Sequence, residues 1–359
     1  MSKWRRHRGL PARLCPRFQG RGRRPTRGAP EGAGAARMTD APSAAIRCLH
    51  VAKGYGAVDA LRDVTLEVQR GELFGLVGPD GAGKTTFLRL LACLLAPTAG
   101  KAWVGGIETT QDRAAVKRQI GYMSQRFSLS ETLTVLENLL YVAEVWGVPP
   151  GARRQRITRL LEFSRLGPFQ DRLTRNLSGG MKQKLSLAVC LIHQPKILLL
   201  DEPTIGVDPL SRRDFWLILY DLLQEGSTIL LTTPYMDEAE RCGRVGFLLD
   251  GRLIACGPPR QLKTDLGVVV LELRVRQPRA AQRALRQVDG LRHSVLFGER
   301  IHVTVPRDGF DAAAAIERAR AAGIVIDRWS LLPPSLEDVF LAYARPEDGG
   351  ADARREAGA

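Results

Sequence analysis

Leu73–Leu95 reads LFGLVGPDGAGKTTFLRLLACLL, and its interpretation decides the fold of the chain. Leu73 to Val77 is an apolar run of strand length. Gly78-Pro79-Asp80-Gly81-Ala82-Gly83-Lys84-Thr85 follows with the spacing G-x-x-x-x-G-K-[ST], and Phe87 to Leu95 then reads as a buried helix. Strand, glycine-rich loop and helix in that order are the context a phosphate-binding loop requires. The glycines let main-chain N–H groups turn inward without a Cβ in the way. The helix N-terminus adds positive potential. Lys84 can place its charge on the β- and γ-phosphates, and Thr85 can offer a hydroxyl to Mg²⁺. Taken alone, the stretch predicts a nucleoside triphosphate site and no more.

A second run, Lys196 to Pro203 (KILLLDEP), has the continuous hydrophobicity of a strand buried on both faces and ends in Asp201 and Glu202. Two carboxylates at the end of a buried strand are costly unless a cation or catalysis uses them. Asp201 can hold Mg²⁺ through water, and Glu202 can orient a water against a γ-phosphate. Between the two runs lies Asn176–Lys196, NLSGGMKQKLSLAVCLIHQPK. Ser178-Gly179-Gly180 stands before a helix expected over Met181 to Ile192. That is either an ordinary N-cap or a second anion site in one chain.

Gly78–Thr86, Leu177–Gln183 and Leu198–Glu202, in this order, resemble the ATP-binding subunits of ABC transporters, with LSGG as the signature. The resemblance covers roughly residues 45–345. It implies an α/β P-loop ATPase core with an antiparallel β subdomain and a helical subdomain at about 126–190. It also implies two ATP-binding domains paired head to tail, each ATP lying between one domain's phosphate loop and the other's signature. Gly78, Asp80, Gly81, Ala82, Gly83, Lys84, Thr85 and Thr86 would then bind nucleotide, with Ser178, Gly179 and Gly180 acting in trans. The resemblance places Tyr55 under the adenine and Gln125 at the metal and attacking water. Asp208 falls on the loop along the dimer interface. Thr85, Gln125 and Asp201 would serve Mg²⁺, and Glu202 and Gln125 the chemistry. The partners implied are an integral-membrane permease and a second ATP-binding domain, identical or not.

One position departs from the family pattern. After the strand expected at Thr228 to Thr233, where the family usually has a histidine on the γ-phosphate, the chain has Pro234. Proline has neither a side-chain donor nor an N–H. The junction itself should fold, because proline keeps Thr233 extended and suits a helix start followed by Asp237 and Glu238. His7, His50, His193, His293 and His302 all lie far from it in sequence, and His193 reads as structural. Three readings stay open: Glu202 suffices as base with the histidine only a helper, the site is slow or dead and a partner chain carries the competent one, or nucleotide is bound for switching and not for turnover. The intact Glu202, Gln125 and signature favour the first or second, and retained hydrolysis, at full or reduced rate, is preferred.

From residue 266 the texture changes. Leu271, Leu273 and Val275 alternate with charged residues, a helix is expected over Arg279 to Val288, and a hairpin turns at Gly298-Glu299. A helix at Asp311 to Ala322 and a strand from Ile324 complete the order β-α-β-β-α-β, which suggests a small ferredoxin-like α+β domain over 266–345. The ATP-binding domain would then span 43–265. The piece SLEDVF, Ser335 to Phe340, resembles the C-terminal extension of subunits paired with ABC-2-type permeases of drug and export systems.

The net charge of +15 is unevenly spread. Residues 1–37 carry eleven Lys/Arg and one acid, so +10 of the +15 sits there. Residues 1–42 are expected to be a disordered basic tail, with 1–37 lying upstream of an alternative start at Met38, and 346–359 a second polar tail. No stretch approaches the roughly 20 apolar residues of a membrane span, and the six cysteines form no CxxC pair. The expected place is the cytoplasmic face of the membrane, held there by the permease. The competing class is a soluble ABC ATPase acting on nucleic acid, which the tail invites. Relatives of that kind usually carry two ATP domains in one chain, so no nucleic acid is expected.

Overall fold

The computed structural model describes residues 44–291 and 294–344. The expectations for residues 1–42, for Met38, His7 and His293, and for 346–359 lie outside them.

The described part opens with a hairpin, β1 (Ile46–Tyr55) and β2 (Val58–Val68), followed by β3 (Leu73–Val77) and α1 (Lys84–Leu91). Next come β4 (Ala99–Val104), β5 (Ile107–Glu108), α2 (Arg113–Gln119) and β6 (Ile120–Met123). Three helices follow, α3 (Val135–Val145), α4 (Pro150–Phe163) and α5 (Gly179–Leu191), then β7 (Ile197–Asp201), α6 (Pro209–Gln224) and β8 (Thr228–Thr233). The short α7 (Met236–Ala239), β9 (Arg244–Leu249), β10 (Arg252–Gly257) and α8 (Pro259–Asp265) complete this part. The last segment runs β11 (Val268–Val275), α9 (Pro278–Leu285), β12 (Ser294–Phe297), β13 (Arg300–Pro306), α10 (Ala312–Ala321), β14 (Ile326–Leu332) and α11 (Leu336–Ala344).

The central sheet has the order β10-β9-β3-β8-β7-β6. Its pairings are parallel except for the β9–β10 hairpin. Residues alternate between two cores. Phe74, Leu76, Ile197, Leu199 and Leu230 pack under α1 and the antiparallel sheet β2-β1-β4-β5. Leu73, Val77, Leu198, Leu200, Ile229 and Leu231 pack on the opposite side with α5 and α6. A strand with both faces covered has no polar face, which is why these segments read as unbroken apolar runs. The parallel strands end together, so the loops after β3, β6, β7 and β8 gather at one edge, where parallel α/β sheets build their sites.

The C-terminal segment is an antiparallel sheet of order β12-β13-β11-β14 with α9 and α10 over one face. It has its own core around Leu271, Leu273, Leu285, Ile301 and Ile316. Its final helix does not share that core. Leu336 and Val339 of α11 join the core beneath the central sheet, and Phe340 meets Phe247 edge-on with ring centroids 5.4 Å apart. The chain thus returns to the first part after leaving it.

Candidate nucleotide site

Helix α1 begins at Lys84, three residues earlier than the apolar pattern of the sequence suggests. Gly83 is its N-cap at φ 105°. A Cβ there would come within 2.4 Å of Ala60 O, and one at Gly78 within 2.1 Å of Leu248 O. The loop 78–83 is therefore pressed against β2 and the β9–β10 turn, and side chains are excluded where it is held. Gly251 N donates to Ala82 O and Arg62 N to Gly251 O, completing the brace. Asp80 and Gly81 stay exposed, Ala82 is buried, and Thr86 is half-buried in the first turn of α1.

Lys84 is almost fully buried, with its side chain 3% exposed. Its Nζ donates to Gly78 O (2.7 Å) and Pro79 O (3.0 Å) and lies 3.0 Å from Glu202 Oε1. Gln125 Nε2 donates to Glu202 Oε2 at 2.7 Å, so Gln125, after β6, closes on the carboxylate that directly follows β7. Glu202 sits at φ 49°, a left-handed backbone that non-glycine residues rarely keep without constraint.

Asp201 Oδ1 accepts from Thr232 Oγ1 (2.8 Å) and from Thr85 Oγ1 (3.2 Å), while Glu202 N donates to Thr232 Oγ1 (3.0 Å). Thr232 is thus a buried hub between both acids, and sequence reading missed it. A threonine inside a buried strand carries no signal until the neighbouring strand is known. The other oxygen, Asp201 Oδ2, is buried with no hydrogen-bond partner. Burial pushes the Asp201 carboxyl above the usual range, against the opposing hydroxyl bonds from Thr232 and Thr85. A divalent cation or a water bound to one would satisfy that orphaned oxygen. Asp201, Thr85 and Gln125 offer the oxygen donors Mg²⁺ prefers, so the residues present fit the ion.

Ser178, Gly179 and Gly180 are not drawn into this cluster. Ser178 caps α5 through Met181 N (3.3 Å), and Gly180 lies so close to α6 that a Cβ would come within 2.4 Å of Ser211 Cβ. Asp208 caps α6, accepting from Leu210 N (3.1 Å) and Ser211 N (2.9 Å). These backbone bonds hold its carboxyl below the usual range. Ser178, Gly179 and Asp208 are therefore exposed side by side, with Gly180 buried behind them against α6. Tyr55 ends β1 with its ring open to solvent, Lys53 Nζ lying 5.3 Å from the centroid. Of the described histidines, His50 pairs with Asp63, His302 with Glu272, and His193 stacks on Trp146 while bonding Ile120 O. None of these contacts reaches Pro234.

A phosphate-loop lysine, a strand-end carboxylate pair, a bridging glutamine and a capped Ser-Gly-Gly helix define the class of P-loop ATP-binding cassettes. The family model described as ABC transporter matches residues 61–205. The Nod factor export ATP-binding protein I of Paraburkholderia xenovorans is 39% identical over 303 residues, 84% of this chain and 97% of that protein. The chain belongs to the ABC transporter family as an ATP-binding subunit.

The probable multidrug ABC transporter ATP-binding protein YbhF of Escherichia coli is 49% identical over 203 residues, 56% of this chain and 35% of that one. The chain thus matches about a third of that relative's length. The dimeric post-hydrolysis structure of the ATP-binding cassette MJ0796, bound to ADP and Pi, aligns with a TM-score of 0.55 and 29% identity. That alignment covers 59% of this chain and 98% of that one. No helix among the described residues is long and apolar enough to cross a membrane.

Proposed function

We propose that this chain hydrolyses Mg-ATP to drive a separate membrane permease that exports a hydrophobic or drug-like compound. The observation that carries the reading is the placement of Glu202. Its carboxylate closes the phosphate loop against Lys84 and is aimed by Gln125. Beside it, Asp201 keeps a buried oxygen that a metal's hydration shell would satisfy. Lys84 would exchange its Glu202 contact for phosphate oxygens, freeing the carboxylate to take a proton from the attacking water. Thr85 and Gln125, and Asp201 through water, would hold Mg²⁺, which would neutralise charge on the phosphates. Gly78 to Thr86 cradle the phosphates, and Tyr55 offers its open ring to adenine.

The exposed Ser178, Gly179 and Asp208, with Gly180 behind them, would close the same site on a second copy or a related subunit. The name of the Nod factor relative supports export, and the multidrug label of the Escherichia coli relative supports a drug-like cargo. The region 126–190 would face the permease, which holds the chain at the cytoplasmic face of the membrane. The strand order of the C-terminal sheet supports a ferredoxin-like module over 266–345.

Pro234 removes the donor that the family places at the γ-phosphate. By analogy with a lost oxyanion donor, this costs about 3 kcal/mol, or two to three decades of rate. Steady-state hydrolysis by the purified chain, with Glu202→Gln and Pro234→His alongside, tests the reading. Slow turnover abolished by Glu202→Gln and raised by Pro234→His is expected. Turnover indifferent to Glu202→Gln would sink the assignment. Binding without turnover would mean that a competent partner subunit must be sought.

A further inference from the structure

Glu238 is a carboxylate that takes no part in the contacts of Lys84, Gln125 or Asp201, yet it is only 1% exposed. Its Oε1 accepts from Thr204 Oγ1 at 2.5 Å and lies 3.6 Å from Arg212 Nε. Its Oε2 accepts from Thr233 Oγ1 at 2.8 Å. Each partner belongs to a different segment of the site. Thr204 stands two residues after Glu202, Arg212 lies in the first turns of the helix that Asp208 caps, and Thr233 is the last residue before Pro234.

Successive residues of a strand point to opposite faces. At the end of β8, Thr232 turns to Asp201 and to Glu202 N, while Thr233 turns to Glu238. The strand end is therefore clasped from both sides. The Arg212 guanidinium also stacks on the Tyr235 ring at 4.8 Å, extending the clasp over the residue that follows Pro234.

A leucine at 238 would pack in the same space without the desolvation cost of a buried charge, so the carboxylate must be justified by the bonds it makes. What those bonds accomplish is a constraint. Glu202 holds a left-handed backbone that persists only where its surroundings over-determine it. Ile205 N returns to Glu202 O and Val207 N to Thr204 O, so the turn from 202 to 208 is one hydrogen-bonded piece. Glu238 anchors the middle of that piece to the end of β8.

We propose that Glu238 is a positioning residue for ATP hydrolysis. It fixes the 202–208 turn, and with it the angle at which Glu202 meets the attacking water, where Pro234 supplies no donor of its own. The inference rests on the ATPase reading given above.

The test compares Glu238→Ala, Glu238→Gln, Thr204→Val and Thr233→Val with the native chain and Glu202→Gln. Mg-ATP binding, kcat, KM and peptide hydrogen exchange over 202–208 are measured. Glu238→Ala should lower kcat about tenfold or more, with KM and ATP affinity within about twofold. Exchange in the 202–208 peptide should rise while that of β7 stays put. Combining Glu238→Ala with Thr204→Val should cost little beyond the single change, because both cut the same tie. Should Glu238→Ala fail to fold, the near-isosteric Glu238→Gln and Thr204→Val carry the comparison. Folded Glu238 and Thr204 variants at native kcat, beside an inactive Glu202→Gln, overturn this proposal alone. Native turnover that survives Glu202→Gln removes the ATPase reading and this proposal together.

Discussion

Lys84 Nζ lies 3.0 Å from Glu202 Oε1, and both side chains are 3% exposed. The phosphate-loop cation and the proposed base therefore neutralise each other in the protein's interior. Removing one member of a buried pair leaves the other charged and unsatisfied, at a cost of about 3 kcal/mol. Lys84→Ala should thus lower the melting temperature as well as abolish ATP binding. Adding Glu202→Gln to Lys84→Ala should recover a good part of the lost stability, since a neutral amide is cheaper to bury than an orphaned carboxylate. Calorimetry on the two single variants and the double variant checks this. A double variant less stable than Lys84→Ala would show that the pair is not coupled.

Gly180 and Ser211 give a prediction about the signature that does not depend on catalysis. A Cβ at 180 would stand 2.4 Å from Ser211 Cβ and 2.5 Å from its Oγ. Gly180→Ala must push α5 away from the first turn of α6, and overpacking of this kind costs about 1–3 kcal/mol. Because the conflict is with a Cβ, Ser211→Ala cannot relieve it, whereas Ser211→Gly can. Thermal denaturation of Gly180→Ala with each second change is the measurement. Equal rescue by both would mean that the hydroxyl, and not the helix separation, limits the approach.

These two contacts differ in how far the sequence announced them. The glycine-rich loop, the acids ending β7 and the Ser-Gly-Gly cap were legible because each needs particular residue types at fixed local spacing. The start of α1 was misread by three residues, because Lys84 to Thr86 are helical but polar and their apolar signal begins only at Phe87. Thr232, Glu238 and Arg212 were not legible as site residues. Their roles arise from pairing β8 with β7 and packing α6 against α7, relations between segments distant along the chain. The swing of α11 back onto the central sheet was hidden for the same reason. Its apolar pattern says that it is buried, and only the fold says against what.

His193 yields a prediction for pH. Its ring stacks on Trp146 with centroids 3.9 Å apart and planes 8° apart, and Nε2 lies 2.8 Å from Ile120 O. Nδ1 is buried with no hydrogen-bond partner. With Nε2–H donating to the carbonyl, the neutral ring fits, and a second proton would put an N–H at Nδ1 with no acceptor. Burial accordingly pushes the His193 pKa down, and the Arg156 charge adds to that against the favourable bond to Ile120 O. A folded-state pKa below the unfolded one means that the unfolded chain binds the proton more readily. The stability contributed by neutral His193 is therefore complete above the unfolded value of about 6.5 and is lost as pH falls from there through the folded pKa. Within that window the loss is at most about 1.4 kcal/mol per pH unit. His193→Gln keeps an N–H donor for Ile120 O but does not titrate. Melting curves of both chains between pH 7.5 and about 5 should therefore converge as pH falls, the native chain losing stability faster below about 6.5. Parallel curves for the two chains would mean that His193 is protonated as easily in the fold as in the unfolded chain.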